Sequence, residues 1–142
     1  MELSIKKLTT KEELYATYPF VAQLTPDLTE ATFRIIQDEI MHDGYQCIGA
    51  FDADGEMFGM CGYWIRHRFY CGKGLHIDNI ASIGEMHGRG IGTVLMEWIV
   101  EESKAHGCDH VVLDTYLENK DAHAFYLKNR LRIAGLHFMR KM

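Results

Sequence analysis

A glycine-rich turn runs directly into an amphipathic helix at residues 87–99, HGRGIGTVLMEWI. The apolar residues of that helix recur at the i, i+3, i+4, i+7, i+8 spacing of one buried face, as Ile91, Val94, Leu95, Trp98 and Ile99. The apolar run before the turn, Leu75 to Ile83, is typical of a strand, and Gly107 is placed to end the helix. The stretch therefore predicts a strand, a tight turn and a helix packed together.

The turn has the composition of an anion-binding site. Backbone N–H groups at the start of a helix point outward, and the helix dipole favours negative charge there. Glycines let a pyrophosphate approach the backbone, and Arg89 can add a charged contact. Thr93 stands where a dinucleotide fingerprint requires its third glycine, and the Gly-Lys-Ser/Thr of a P-loop is absent. Taken alone, the segment is equally compatible with a plain strand-to-helix turn.

The N-terminal part of the chain predicts one strand and two helices. Leu3 to Leu8 alternates as a strand, and Thr10-x-x-Glu13 forms a capping box that opens a helix. The apolar stripe of this helix consists of Leu14, Tyr18, Val21 and Ala22. The second helix carries Phe33, Ile36 and Ile40 on one face and ends near Asp43-Gly44.

The remaining elements predict a mixed α/β fold in a single domain over residues 1–142. Tyr45 to Phe51 and Met57 to Ile65 are joined by Asp52-Ala53-Asp54-Gly55, which is a hairpin signal, and Arg66 to Gly74 is expected to be a polar connection. The C-terminal elements are a strand at His110 to Thr115, a helix at Asn119 to Asn129 and a strand at Ile133 to Met142. The order β-α-α-β-β-β-α-β-α-β predicts a central, mostly antiparallel twisted sheet flanked by helices.

Composition and charge narrow the class of protein. The 142 residues are enough to bury a core without disulfides or metals, and no stretch is long and apolar enough to cross a membrane. The net charge of −5 argues against a nucleic-acid partner. The four cysteines form no C-x-x-C pair, the histidines lack ligand spacing, and the N-terminus lacks the apolar block of a secretory signal. We therefore expect a reduced, cytoplasmic protein without a metal site.

Two segments together resemble the GCN5-related N-acetyltransferase (GNAT) family. The family's cofactor motif, Gln/Arg-x-x-Gly-x-Gly/Ala after a strand, is matched by His87-x-x-Gly90-x-Gly92. Its later motif, Asn-x-x-Ala-x-x-x-Tyr, is matched in full by Asn119, Ala122 and Tyr126. The spacing of the motifs and the order of the elements fit over almost the whole chain. The segment from Asp121 to Leu127 also resembles small-molecule members such as aminoalkylphosphonate N-acetyltransferases.

The resemblance implies a cofactor and a set of site residues. Acetyl-CoA would be the co-substrate, an amine would attack its thioester directly, and Tyr126 would donate a proton to the sulfur of coenzyme A. The backbone of the strand around Asn79 to Ile83 would bind the pantetheine and polarise the acetyl carbonyl. The expected cofactor contacts are Ile80, Ala81, Ser82, His87, Gly88, Arg89, Gly90, Ile91, Gly92, Thr93, Asn119, Ala122 and Tyr126.

The base that deprotonates the amine is expected on the same strand. His76 and Asp78 alternate onto one face there. An imidazole, with an unperturbed pKa of about 6.5, is suited to accept the proton of the amine. Both residues are equally compatible with an ordinary polar strand. No cysteine adjoins a histidine in an activating motif, so the sequence favours direct transfer and leaves only a spatial pair open.

The acceptor is expected to be a small-molecule amine, with neither nucleic acid nor membrane as a partner. Arg66, His67 and Arg68 are expected to favour an acceptor with an anionic group, and a solvated basic loop is the alternative. A protein N-acetyltransferase and a non-catalytic acetyl-CoA-binding module are the alternative functions, and a homodimer is left open.

Two positions depart from the family pattern. His87 replaces the usual Gln or Arg of the cofactor motif. Arg130-Leu131 replaces Gly-Phe after the tyrosine, which removes the glycine that would end the last helix. We therefore expect an unusual exit from that helix.

Overall fold

The chain folds into five strands and five helices over the part that the computed structural model describes, residues 2–83 and 90–142. The elements are β1 (Ser4–Leu8), α1 (Lys11–Tyr15), α2 (Tyr18–Leu24), α3 (Glu30–Ile40), β2 (Gln46–Phe51), β3 (Met57–Arg68), β4 (Gly72–Ser82), α4 (Ile91–Ala105), β5 (His110–Leu113) and α5 (Lys120–Lys128). These residues form two compact units, one that ends at Val112 and one that begins at Leu113.

The sheet confirms the predicted mixed α/β fold. Its strands lie in the order β1-β2-β3-β4-β5, and the pairs from β1 to β4 are antiparallel. The predicted hairpin joins β2 to β3, where the Asp52 Oδ1 accepts hydrogen bonds from the N–H groups of Asp54 and Glu56, both at 2.9 Å. Gly55 takes the left-handed conformation that this turn requires, with φ of 82°.

The first predicted helix is two helices in the structure. The capping box is confirmed, because the Thr10 hydroxyl accepts from the Glu13 N–H at 3.1 Å and the Glu13 carboxylate accepts from the Thr10 N–H at 3.0 Å. The helix stops after Tyr15 and restarts at Tyr18, with Pro19 in the first turn of α2. Proline has no N–H to donate and its ring clashes with the carbonyl four residues earlier, so one continuous helix cannot pass this point.

The predicted polar connection from Arg66 to Gly74 is wrong, because most of it belongs to the β3–β4 hairpin. Arg66 lies opposite Gly74, His67 opposite Lys73 and Arg68 opposite Gly72, so only residues 69–71 remain as a turn. Backbone pairing in an antiparallel ladder does not depend on apolar side chains, so polar composition alone concealed these strand ends.

Helices cover both faces of the sheet. A Cβ added at Gly59 would meet the Ile91 side chain of α4 at 2.5 Å, whereas one added at Gly62 would meet Tyr45. Residues 59 and 62 point to opposite sides of β3, so α4 covers one face, and we call the other the Tyr45 face. The core on the Tyr45 face contains residues from α1, α2 and the sheet, namely Leu8, Leu14, Phe20, Tyr45, Cys47, Met60 and Ala81.

The predicted last strand is wrong, since the structure assigns no regular element to residues 131–142. Ile133, Leu136 and Phe138 are each more than two-thirds exposed there, so the apolar pattern that suggested a strand buries little surface. The predicted end of α4 is confirmed by Gly107, which has φ of 67°. No helix within residues 2–83 and 90–142 is long and apolar enough to cross a membrane.

Candidate functional site

The start of α4 holds the described part of the predicted anion site. Gly90 is the N-terminal cap of the helix, with φ of 84°, and its carbonyl accepts from the Val94 N–H at 3.1 Å. Ile91, Gly92 and Thr93 form the first turn, in which Ile91 is buried and Thr93 is exposed. The absence of a side chain at Gly59 lets Ile91 contact β3 closely, which fixes the beginning of the helix on the sheet. His87, Gly88 and Arg89 lie outside the described residues.

β4 contains a bulge at Asp78. Ile77 lies opposite Tyr63 and Asn79 lies opposite Gly62, so Asp78 is an extra residue at this point of β4. A bulge of this kind disrupts the ladder locally, bends the strand and increases its twist. The register also shifts the faces, because Asn79 and His76 now lie opposite Gly62 and Trp64 on the Tyr45 face. Asn79 therefore joins His76 on the Tyr45 face, and the predicted alternation of His76 and Asp78 onto one face stays a prediction.

On the side of β4 away from β3, no strand of the described residues pairs with the segment that follows the bulge. The Asp109 N–H, just before β5, donates to the Lys73 carbonyl at 2.6 Å, so β5 begins beside the first residues of β4. β5 has four residues, whereas β4 has eleven. Whichever way it runs, β5 cannot reach residues 79–82, where Ile80, Ala81 and Ser82 lie. The Ser82 carbonyl accepts a hydrogen bond from the Gln23 side chain at 3.3 Å, so an extended ligand on this edge would meet the backbone of residues 79–81.

A buried tyrosine supports the bulge from the Tyr45 face. The Tyr45 hydroxyl donates to the Asn79 side-chain oxygen at 3.1 Å, and this contact fills the space that a side chain at position 62 would occupy. Burial raises the pKa of Tyr45 well above its ordinary value, and the nearby Asp78 carboxylate adds to the rise. Tyr45 therefore stays protonated and keeps its donor role.

His76 lies beside a cysteine. Its Nε2 is 3.9 Å from the Sγ of Cys71, which is buried at the end of the β3–β4 turn. The sequence left such a spatial pair open, and the structure contains it. Within the described residues, no group of three histidine, cysteine or acidic side chains is arranged to hold a metal ion.

The later motif forms the helix of the C-terminal unit. Asn119 caps α5, where its Oδ1 accepts from the Ala122 N–H at 3.2 Å, and Tyr126 follows one turn after Ala122 with its ring 5.6 Å from that of Phe125. All three motif residues are partly or fully exposed within this unit, and α5 has no buried residue. The motif residues therefore lie at the capped start and on the accessible surface of a short helix.

The C-terminal end of α5 shows how Arg130 replaces the glycine of the family pattern. Arg130 has φ of 68°, its N–H donates to the Leu127 carbonyl, and the Leu131 N–H donates to the Tyr126 carbonyl at 3.0 Å. This is a Schellman ending with arginine where glycine is the usual residue. α5 therefore ends with the same hydrogen bonds that a glycine at this position would allow, and the backbone of Arg130 is strained as a result.

Some residues of the site were not predicted from the sequence. Tyr45 contacts Asn79 only because of the bulge in β4. No local sequence pattern predicts the shifted register of β3 and β4. Cys71 and His76 are five residues apart, and residues an odd number apart in a strand lie on opposite faces. The alternation of a strand therefore did not predict their contact. The glycine at position 62 was the available signal, since an interior strand glycine often marks a bulge or a close approach.

Comparison with known proteins places the chain among acetyltransferases. The pattern of the Acetyltransferase (GNAT) family matches residues 9–130. Glucosamine 6-phosphate N-acetyltransferase of Arabidopsis thaliana is 27% identical over 131 residues, which cover 87% of this chain and 86% of the relative. Aminoalkylphosphonate N-acetyltransferase of Salmonella typhimurium is 27% identical over 93 residues, covering 63% of this chain and 58% of the relative. A structure of an aminoglycoside N-acetyltransferase in complex with CoA, 21% identical, aligns with a TM-score of 0.83 over 99% of this chain and 95% of that one.

Proposed function

Because the chain belongs to the GNAT acetyltransferase family and acetyl-CoA is its co-substrate, we propose that it transfers the acetyl group directly onto a small-molecule amine in a ternary complex. The relatives named above act on amines of small molecules, as their names state. The observation that carries the proposal is the uncovered edge of β4 next to its bulge at Asp78.

The cofactor would lie along that edge and reach the start of α4. Backbone groups of Ile80, Ala81 and Ser82 would pair with the amides of the pantetheine, as a neighbouring strand would. The pyrophosphate would bind at the turn from His87 to Thr93, where the first N–H groups of α4 lack partners within the helix. The left-handed Gly90 supports this placement, because the chain there needs a glycine.

Acetyl transfer makes one bond and breaks one. The amine nitrogen attacks the carbonyl carbon of the thioester, the C–N bond forms, and the C–S bond breaks with its electron pair on sulfur. Backbone N–H groups of β4 next to the bulge would stabilise the oxyanion of the tetrahedral intermediate. Tyr126 would donate the proton of its hydroxyl to the leaving thiolate. Asn119 and Ala122 would hold the cofactor arm beside it.

The proton of the amine would pass to Asp78 or His76. Asp78 is exposed at the bulge, directly before residues 79–82 of the proposed cofactor edge, which supports it as the base. The imidazole of His76 lies at Cys71, two residues earlier on β4. Asp78→Asn and His76→Gln would separate the two, since loss of the base should remove the acidic limb of the pH profile of kcat/KM. Asp54→Asn, in the distant hairpin turn, is the matched control.

The test is a thiol-release assay with acetyl-CoA and a panel of amines, in which each product is identified by mass spectrometry. The panel should include amino sugars, aminoalkylphosphonates, polyamines and a peptide with a free N-terminus. We expect acetylated product from at least one small amine, with one thiol released per product. Acetyl-CoA binding without turnover on any amine would favour the non-catalytic module, and acetylation of the peptide alone would favour a protein N-acetyltransferase.

A further inference from the structure

Arg66 is held in a defined position on the Tyr45 face. Its guanidinium lies 4.0 Å from the centre of the Trp64 ring, and Trp64 packs edge-on against Tyr45 with ring centres 5.5 Å apart. None of the ion pairs within residues 2–83 and 90–142 includes Arg66. A guanidinium stacked on an indole keeps its N–H donors at the edge of the stack, where they can bind a planar or tetrahedral anion.

His76 lies on the same face of the β3–β4 hairpin as Arg66. Arg66 is directly opposite Gly74, and a Cβ added at Gly74 would meet the Nε2 of His76 at 2.8 Å. The imidazole therefore lies over Gly74, the residue directly opposite Arg66. Residues directly opposite each other on one face of an antiparallel pair are close neighbours, so the imidazole over Gly74 lies beside the start of the Arg66 side chain.

The geometry points to an acceptor that carries an anionic group as well as its amine, with Arg66 as the residue that binds the anion and His76 beside it. The shared chemistry is a phosphonate, phosphate or carboxylate, which a guanidinium binds through paired hydrogen bonds. This inference rests on the proposed acetyl transfer. It also separates Arg66 from the two basic residues that the sequence grouped with it. His67 alternates to the opposite face, and Arg68 lies farther out, opposite Gly72.

The position of the anion limits the length of the acceptor. Trp64, which holds the guanidinium, lies opposite His76, and Asp78 follows two residues later. Two strand residues span about 7 Å, so with Asp78 as the base the amine and the anionic group should be separated by roughly that distance. A chain of three or four carbons between them fits this span.

The test compares 3-aminopropylphosphonate with propylamine, using the enzyme saturated with coenzyme A for binding and with acetyl-CoA for turnover. Calorimetry should show that the phosphonate binds the wild-type protein about 10- to 100-fold more tightly than propylamine, as one or two charge-assisted hydrogen bonds would produce. Arg66→Gln should remove that preference, and Arg66→Lys should restore only part of it. Arg68→Gln, with the same change in charge and size, should keep it. 4-Aminobutanoate distinguishes a carboxylate site from a phosphonate site.

The outcomes separate this inference from the proposed function. Equal binding of the two amines to the wild-type protein, or equal loss in the Arg66→Gln and Arg68→Gln variants, overturns the anion site even if acetyl transfer proceeds. Binding that depends on Arg66 while no amine is acetylated supports the anion site and overturns the acetyl transfer. Absence of both binding and turnover for every anionic amine overturns the inference, and turnover of plain amines would then leave the proposed function intact.

Discussion

Gly62→Ala should destabilise the protein by about 2–4 kcal/mol and impair the site at the same time. The added methyl group would collide with the Tyr45 hydroxyl and the Asn79 side-chain oxygen. Tyr45 is buried and edge-on to Trp64, so it cannot simply turn away. Overpacking of this kind costs about 1–3 kcal/mol, and breaking the Tyr45–Asn79 hydrogen bond adds about 1 kcal/mol. The sum is a large share of the roughly 5–15 kcal/mol that stabilises a typical domain.

The assay is the free energy of unfolding from urea titration, measured with kcat/KM on the same samples. Tyr45→Phe removes the nearest of the three colliding atoms and, like Gly62→Ala, breaks the hydrogen bond to Asn79. In the double variant the losses should therefore be less than additive by at least about 1 kcal/mol. Gly135→Ala is the control, because nothing lies within 4 Å of its added Cβ. Additive losses, or a Gly62→Ala variant as stable as the control, would refute the role assigned to this contact in holding the bulge.

Three further changes have defined outcomes. Arg130→Gly should raise the free energy of unfolding by about 1 kcal/mol, since it relieves a left-handed arginine; a lower melting temperature would contradict this. Gly90→Val and Gly107→Val should lose similar stability, because both glycines have positive φ, but only Gly90→Val should abolish acetyl-CoA binding in a calorimetric titration. Tyr126→Phe should slow the chemical step by ~10²–10⁴-fold with little change in cofactor affinity, while the exposed Tyr116→Phe should leave kcat unchanged; a wild-type kcat in Tyr126→Phe would remove the hydroxyl from the mechanism.

Local signals in the sequence predicted the elements that depend on local chemistry. The capping box at Thr10, the turn at Asp52 and the helix end at Gly107 are each determined by hydrogen bonds or backbone conformations within a few residues. The apolar spacing of α4 predicted its buried side because a helix repeats regularly. The family resemblance added the fold, the activity and the co-substrate, which no single segment determined.

The register of β3 and β4 could not be predicted in the same way. A bulge changes which face every later residue occupies, and it is selected by packing between distant residues such as Tyr45 and Asn79. The pairing of Arg66 with Gly74 and the approach of His76 to Cys71 follow from that hairpin. The expected strand at the C-terminus failed for a related reason, because an alternating apolar pattern forms a strand only where a neighbouring edge pairs with it.

The contact between Cys71 and His76 makes the route of the acetyl group the central question, since a thiol beside an imidazole is also the arrangement of an acyl-enzyme nucleophile. The most direct measurement follows acetyl-CoA labelled in its acetyl group, with intact-mass analysis of the protein and of the amine product. Direct transfer predicts label in the amine, one thiol released per product, and no labelled protein when the amine is omitted. Label on Cys71 that a later addition of amine removes would contradict direct transfer, and intact acetyl-CoA with every amine tested would contradict the proposed function itself.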